Sequence, residues 1–261
     1  DWTFDKAHPS ATATDIQYVL DHVNAVLDDP ITHDDIEGVY VGLRPLLAGN
    51  SESTSKLSRE HVVVKPKPGL VLIAGGKWTT YRVMANDAVD AAVSELNALA
   101  GEGSIPSSVT ASVPLLGAAG YKASWNRRTR TAARAGLPKP VVEHLLNRYG
   151  SMADDLLAII AADPKQAESL PGNPDYLLAE VTYAVTHEGA LHIEDVLTRR
   201  TRFNIETRDR GIEAAAVVGK IMGKLLGWSA AAEKAEVKNY RLGIEAEFAA
   251  EQQTTDEAAN A

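Results

Sequence analysis

The sequence predicts an α+β part to about residue 110, followed by an all-α helical domain. Three observations lead there. Apolar runs with the character of strands occur before Gly75 and not after it. A small, polar stretch with Gly101, Gly103, Ser104, Pro106, Ser107 and Ser108 then interrupts the chain. From about Lys122 onward, apolar residues recur at i, i+3 and i+4, as on helices buried along one face. The expected domains are therefore 1–110, 111–249 and an acidic tail, 250–261, expected to be disordered.

Taken in order, residues 1–8 read as the end of a strand. Thr14 or Asp15 is the expected N-cap of a helix from Ile16 to about Leu27, with Ile16, Val19, Leu20, Val23, Val26 and Leu27 at helical spacing. Asp28-Asp29-Pro30 stops it, and residues 31–36 form a turn or short helix. Residues 39–46 read as a strand ended by Pro45, and 58–65 and 70–74 as two strands joined by a tight turn. The second of these runs into Gly75-Gly76 and then a helix from Thr79 to about Leu99, with Ala85, Ala88, Ala92 and Leu96 on its buried face. Residues 113–117 are short and extended. Beyond them, helices are expected at 122–135, 140–149, 152–162, 176–188, 193–203, 209–226 and 229–249, with a loop at 171–174.

Composition narrows the function. Without cysteine, disulfides, thiolate metal sites and cysteine nucleophiles are excluded. A formal net charge of −9 argues against nucleic acid as partner. The basic clusters at 127–134 and 199–210 fit salt-bridge partners, a dimer contact or a surface facing anionic lipid. No apolar run reaches the length of a transmembrane helix. His187-Glu188 and His192 miss the H-E-x-x-H spacing by one residue, and no metal site is expected. No G-x-S-x-G, G-x-G-x-x-G or Walker-type loop occurs.

The stretch with the most chemistry is Gly69–Val93. A strand, two glycines and a helix start form a ready anion site: the glycines allow close backbone approach, and the first N–H groups of the helix lack intrahelical partners. Lys77 adds a full positive charge. Arg44 lies in an apolar run and needs an anionic partner, either a carboxylate or a ligand; Arg59 sits near a strand start. If Arg44, Arg59 and Lys77 converge, they hold a phosphate or carboxylate better than any one of them.

Gly42-Leu43-Arg44-Pro45-Leu46, Ser58-Arg59-Glu60 and Gly75-Gly76-Lys77-Trp78-Thr79-Thr80-Tyr81-Arg82 together resemble the C-terminal half of FAD-dependent, quinone-linked glycerol-3-phosphate dehydrogenases. Arg148-Tyr149-Gly150 and Asp195–Arg202 are similar to the helical C-terminal domain of the same enzymes. The resemblance implies that residues 1–110 are the C-terminal remnant of an FAD-binding and substrate domain. It implies oxidation of sn-glycerol 3-phosphate to dihydroxyacetone phosphate, with hydride transfer to FAD and electrons passed to quinone. Arg44 and Arg59 would bind substrate. Lys77 would be catalytic, and Gly75, Gly76, Lys77, Trp78, Thr79 and Thr80 would contact the cofactor. It further implies a homodimer, cytoplasmic and peripheral on the inner face of the cell membrane. The start at Asp1-Trp2 and the missing dinucleotide fingerprint lead to the expectation of a fragment with an incomplete FAD site, inactive alone. A glycerophosphate oxidase using oxygen and a non-catalytic helical interaction module are the competing readings.

Overall fold

The computed structural model describes residue 4 and residues 6–43, 60–100 and 105–260, with the side chains of 98–100 excepted. The described residues fall into two compact units. One lies within Asp1–Lys6 and Gly42–Pro114, the other within Ala7–Val41 and Leu115–Ala261. Residues 7–41, expected with the α+β part, thus pack with the helical unit.

Among the described residues the first unit holds a hairpin, a 3-10 turn and one long helix. Strand β1 (His61–Lys67) pairs antiparallel with β2 (Leu70–Gly75), with Val63 opposite Ile73 and His61 opposite Gly75. Gly69 turns the chain at φ +78°. A 3-10 turn, Trp78–Thr80, leads into α2 (Tyr81–Ala100). Side-chain ties lace α2 to the hairpin. His61 Nε2 lies 2.8 Å from Asp87 Oδ2, and Glu95 accepts from Gly69 N–H at 3.2 Å and pairs with Lys65 at 3.2 Å. The Gly69 N–H and then Lys65 hold the Glu95 carboxyl below its ordinary pKa. The burial expected for this unit is not found. Leu72 and Ile73 are exposed, as are Ala85 and Leu96, while Ala88 and Ala92 are half-buried. Among the described residues, two strands and one helix do not cover both faces of the hairpin.

The second unit holds two apolar cores that share one helix. Helices α3 (Tyr121–Ala135), α4 (Lys139–Tyr149) and α5 (Ala153–Ala162) enclose Val142, Leu145, Leu146, Leu156 and Ile160. Helices α7 (Ala215–Leu226) and α8 (Ala230–Ala250) enclose Ile193, Leu197, Phe203, Val218 and Met222. Helix α6 (Leu178–Thr186) gives Ala179 and Tyr183 to the first core and Val181 and Ala184 to the second. Being apolar on opposite sides, it is buried on both.

Several elements differ from expectation, each for a local reason. The described residues among 1–8 form bends, and 39–43 carry no strand. Helix α1 (Ala13–Asn24) starts earlier than expected because Thr12 and Asp15 close a capping box around its first turn. It buries only Leu20; Val19 and Val26 are exposed. The expected turn at 31–36 is a 3-10 turn, His33–Asp35. Residues 116–120 turn rather than extend. The loop expected at 171–174 belongs to a small hairpin, β3 (Ser169–Leu170) with β4 (Asn173–Leu177), which takes Tyr176 out of the helix that follows. The helix expected at 193–203 is a π-helical turn, Asp195–Arg200, because the Thr201 N–H and hydroxyl both reach back to the Val196 carbonyl, at 2.9 and 2.7 Å. The helix expected from 209 begins at Ala215, because Asp209 accepts from Gly211 N–H and Glu213 N–H and sets a turn there. Residues 251–260, expected as disordered, are placed: Gln253 and Thr254 carbonyls accept from Ala13 N–H at 2.7 Å and Thr14 Oγ1 at 2.8 Å, and α9 (Asp256–Ala259) follows.

Candidate functional site

The sequence-predicted residues Gly75, Gly76, Lys77, Trp78, Thr79 and Thr80 stand together where β2 ends and α2 begins. Both glycines have positive φ, +74° and +86°. A Cβ on Gly76 would sit 2.5 Å from Met84 Sδ and 3.1 Å from His61 Cβ, so the turn is packed against β1 and α2 as well as left-handed. Lys77 takes the N-cap position of the 3-10 turn with an extended backbone and no side-chain cap. Its carbonyl accepts from Thr80 N–H and Thr80 Oγ1, both at 3.0 Å. The N–H groups at the start of such a turn have no intrahelical acceptor and face outward with partial positive charge.

The side chains of this turn are available to a ligand. Lys77, Thr79 and Thr80 are exposed, and Trp78 is 85% exposed, its ring stacked at 5.4 Å on Tyr81. Among the described residues Lys77 forms no ion pair. Among the described residues, an ammonium without an ion pair lies beside the N–H groups of a helix start with a flat aromatic surface next to them, and that set suits a planar group that gathers negative charge. These residues therefore fit the ring edge of a flavin. Arg44 and Arg59 lie outside the described residues.

The sequence pattern singles out neither His61 nor Asp87. Their pairing holds the strand opposite Gly75 to the helix that follows Lys77, and so fixes the turn from both sides. The available signal was register: a residue opposite a turn glycine faces whatever the turn presents.

The motif Arg148-Tyr149-Gly150 of the helical unit proves to be a buried polar knot. Glu180 is fully buried; it receives Tyr149 OH at 2.9 Å and Leu177 N–H at 2.8 Å, and faces His144 Nε2 at 3.0 Å. Arg148 lies over the Tyr176 ring at 5.5 Å and donates to the Arg200 carbonyl at 2.8 Å. Burial, then the nearby Glu180 charge, pushes the Tyr149 phenol well above its ordinary pKa. This knot joins α4, β4, α6 and the π-helical turn. Among the described residues no cluster of histidine and acidic side chains could hold a metal ion.

Residues 108–233 match the family described as the C-terminal domain of alpha-glycerophosphate oxidase. Along its whole length the chain is similar to glycerol-3-phosphate dehydrogenases. It is 51% identical over 260 residues to glycerol-3-phosphate dehydrogenase 2 of Mycobacterium tuberculosis, covering 100% of this chain and 44% of that protein. It is 31% identical over 241 residues to a probable mitochondrial glycerol-3-phosphate dehydrogenase of Dictyostelium discoideum, covering 89% of this chain and 37% of that one. The crystal structure of glycerol-3-phosphate dehydrogenase from Bacillus halodurans complexed with FAD superposes with a TM-score of 0.73 at 26% identity, over 94% of this chain and 47% of that one. The chain therefore spans a little under half the length of these relatives.

Proposed function

We propose that this chain supplies the flavin- and substrate-facing turn of an FAD-dependent enzyme that oxidises sn-glycerol 3-phosphate to dihydroxyacetone phosphate and passes the electrons to quinone. The observation that carries the reading is the Gly75–Thr80 turn, which presents at a helix start a Lys77 without an ion pair among the described residues. The similarity to dehydrogenases over the full chain supports it.

The Gly75–Thr80 turn would hold the ring edge of FAD, which would supply a hydride acceptor for C2 of the substrate. Lys77 and the N–H groups of Trp78 and Thr79 place positive potential where negative charge gathers during that transfer, already oriented before it begins. Gly75 and Gly76 keep side chains out of the approach. Arg44 and Arg59 hold the substrate phosphate; a guanidinium fork suits phosphate oxygens, and two of them fix its orientation. The first unit is read as the remnant of an FAD-binding and substrate domain. The protein is proposed to act as a homodimer at the cytoplasmic face of the cell membrane, where quinone resides.

A second reading, oxidation by molecular oxygen, draws on the oxidase named in the description of the matched family. The two readings part on one assay. Protein carrying this chain, given FAD and sn-glycerol 3-phosphate, is expected to reduce a soluble quinone analogue without releasing peroxide. Stoichiometric peroxide with no quinone reduction would establish the oxidase. Arg44→Ala and Arg59→Ala should each raise KM for the substrate by tenfold or more, about 1.4 kcal/mol. Unchanged KM in both would remove the phosphate role and favour a non-catalytic module.

A further inference from the structure

Helix α3 carries five cations, Lys122, Arg127, Arg128, Arg130 and Arg134, and no acidic residue, in a chain whose net charge is −9. Arg128 turns inward: it stacks on Trp125 at 4.5 Å and pairs with Glu143 at 2.5 Å. The other four are exposed and form no ion pair among the described residues. Arg127 shares a small crevice with Asp154 without pairing to it. At about 100° per residue, these four fall within an arc of roughly 140°, with Arg130 opposite Tyr121 and Ala132, which face the core. The helix thus shows solvent one continuous positive stripe.

Immediately before it in the chain, Leu115 and Leu116 are 66% and 94% exposed. They do not belong to a loose loop. Ala118 N–H closes a turn onto the Leu115 carbonyl at 3.0 Å, and Ser151 N–H donates to the Gly117 carbonyl at 2.8 Å. Gly117 and Gly150 approach so closely that a Cβ on either would strike the backbone of the other segment, at 2.6 Å from the Tyr149 carbonyl oxygen and 2.3 Å from that of Gly117. The leucines are held outward on a pinned turn.

We propose that the exposed face of α3, together with the Leu115–Leu116 turn, is a docking surface for an anionic phospholipid bilayer. Charge complementarity selects an anionic partner, and the two leucines select lipid over nucleic acid. A bilayer buries aliphatic side chains beneath its headgroups, whereas a phosphate backbone offers them nothing. This names the surface for the membrane contact in the function proposed above and rests on that reading. Vesicle binding needs no turnover, so either idea can fail while the other stands.

The test is co-sedimentation of the full chain with phosphatidylcholine vesicles, with and without phosphatidylglycerol. Binding is expected only to the anionic vesicles and should fall as salt rises. Lys122→Gln/Arg130→Gln/Arg134→Gln should bind roughly a hundredfold more weakly. Leu116→Ser should weaken binding several-fold while keeping the salt dependence. All four side chains are exposed, and circular dichroism is to check that each variant is folded before its binding is read. Equal binding to neutral vesicles, no binding to either kind, or wild-type binding by the triple variant would overturn the proposal. So would binding to duplex DNA, lost in the triple variant, without vesicle binding.

Discussion

Gly150 ends α4 at φ 61° and ψ −135°, a region open essentially to glycine alone, with the Gly117 carbonyl against its α-carbon. Gly136 ends α3 at φ 67° and ψ 24° with open space around it. Gly136→Ala should therefore cost only left-handed strain, about 1–2 kcal/mol. Gly150→Ala adds a backbone collision that no rotamer relieves and should cost clearly more; chemical denaturation of the pair measures the difference. Glu180 meets three partners on two elements, α4 and β4, so Glu180→Ala strands Tyr149 OH and Leu177 N–H in the core. A loss of about 3 kcal/mol or more is expected from the same measurement. Asp195 titrates in the opposite sense to a simply buried acid. Burial raises its pKa, but the Leu191 and His192 N–H groups together lower it below the ordinary value. Its contribution is present above the unfolded pKa of about 3.9 and is lost as pH falls through the depressed folded value. Asp195→Asn should accordingly be less stable than the wild type at neutral pH, and the gap should close in acid.

Helix periodicity was readable where a helix buries one face, as in α4, α5, α7 and α8. It misled where burial depends on something else. Ile16, Val19, Val23 and Val26 have helical spacing, yet α1 buries only Leu20. Its position comes from backbone bonds to residues near the other end of the sequence, which no local pattern encodes. The π-helical turn and the delayed start of α7 were equally hidden, because Thr201 and Asp209 redirect the backbone through single side-chain bonds. The tail was misread because its acidic composition resembles a solvated end, while its carbonyls are acceptors for α1. Deleting residues 251–261 should therefore speed amide exchange throughout α1. It should leave Arg210 paired with Glu247 at 2.8 Å. Exchange in α1 that matches the intact chain would show that the tail does not hold it.

Across the chain, the fold and the site were legible to different degrees. The order of a hairpin–turn–helix piece and a helical domain was visible from composition and period. The division of the chain was not, because residues 7–41 join a unit that resumes only at Leu115. The Gly75–Thr80 turn was visible because glycines, a lysine and a helix start carry a local geometry in their spacing. His61 and Asp87 were not, since their pairing depends on strand register and helix phase together. The chemistry proposed for the molecule converges on Lys77, a cation on that turn without an ion pair among the described residues. The most direct measurement is anaerobic stopped-flow bleaching of bound flavin by sn-glycerol 3-phosphate, in FAD-loaded protein carrying this chain and in its Lys77→Ala variant. The expected result is a reduction rate lower by about a hundredfold or more, with flavin still bound. Bleaching of the variant at the wild-type rate would contradict the role given to this turn.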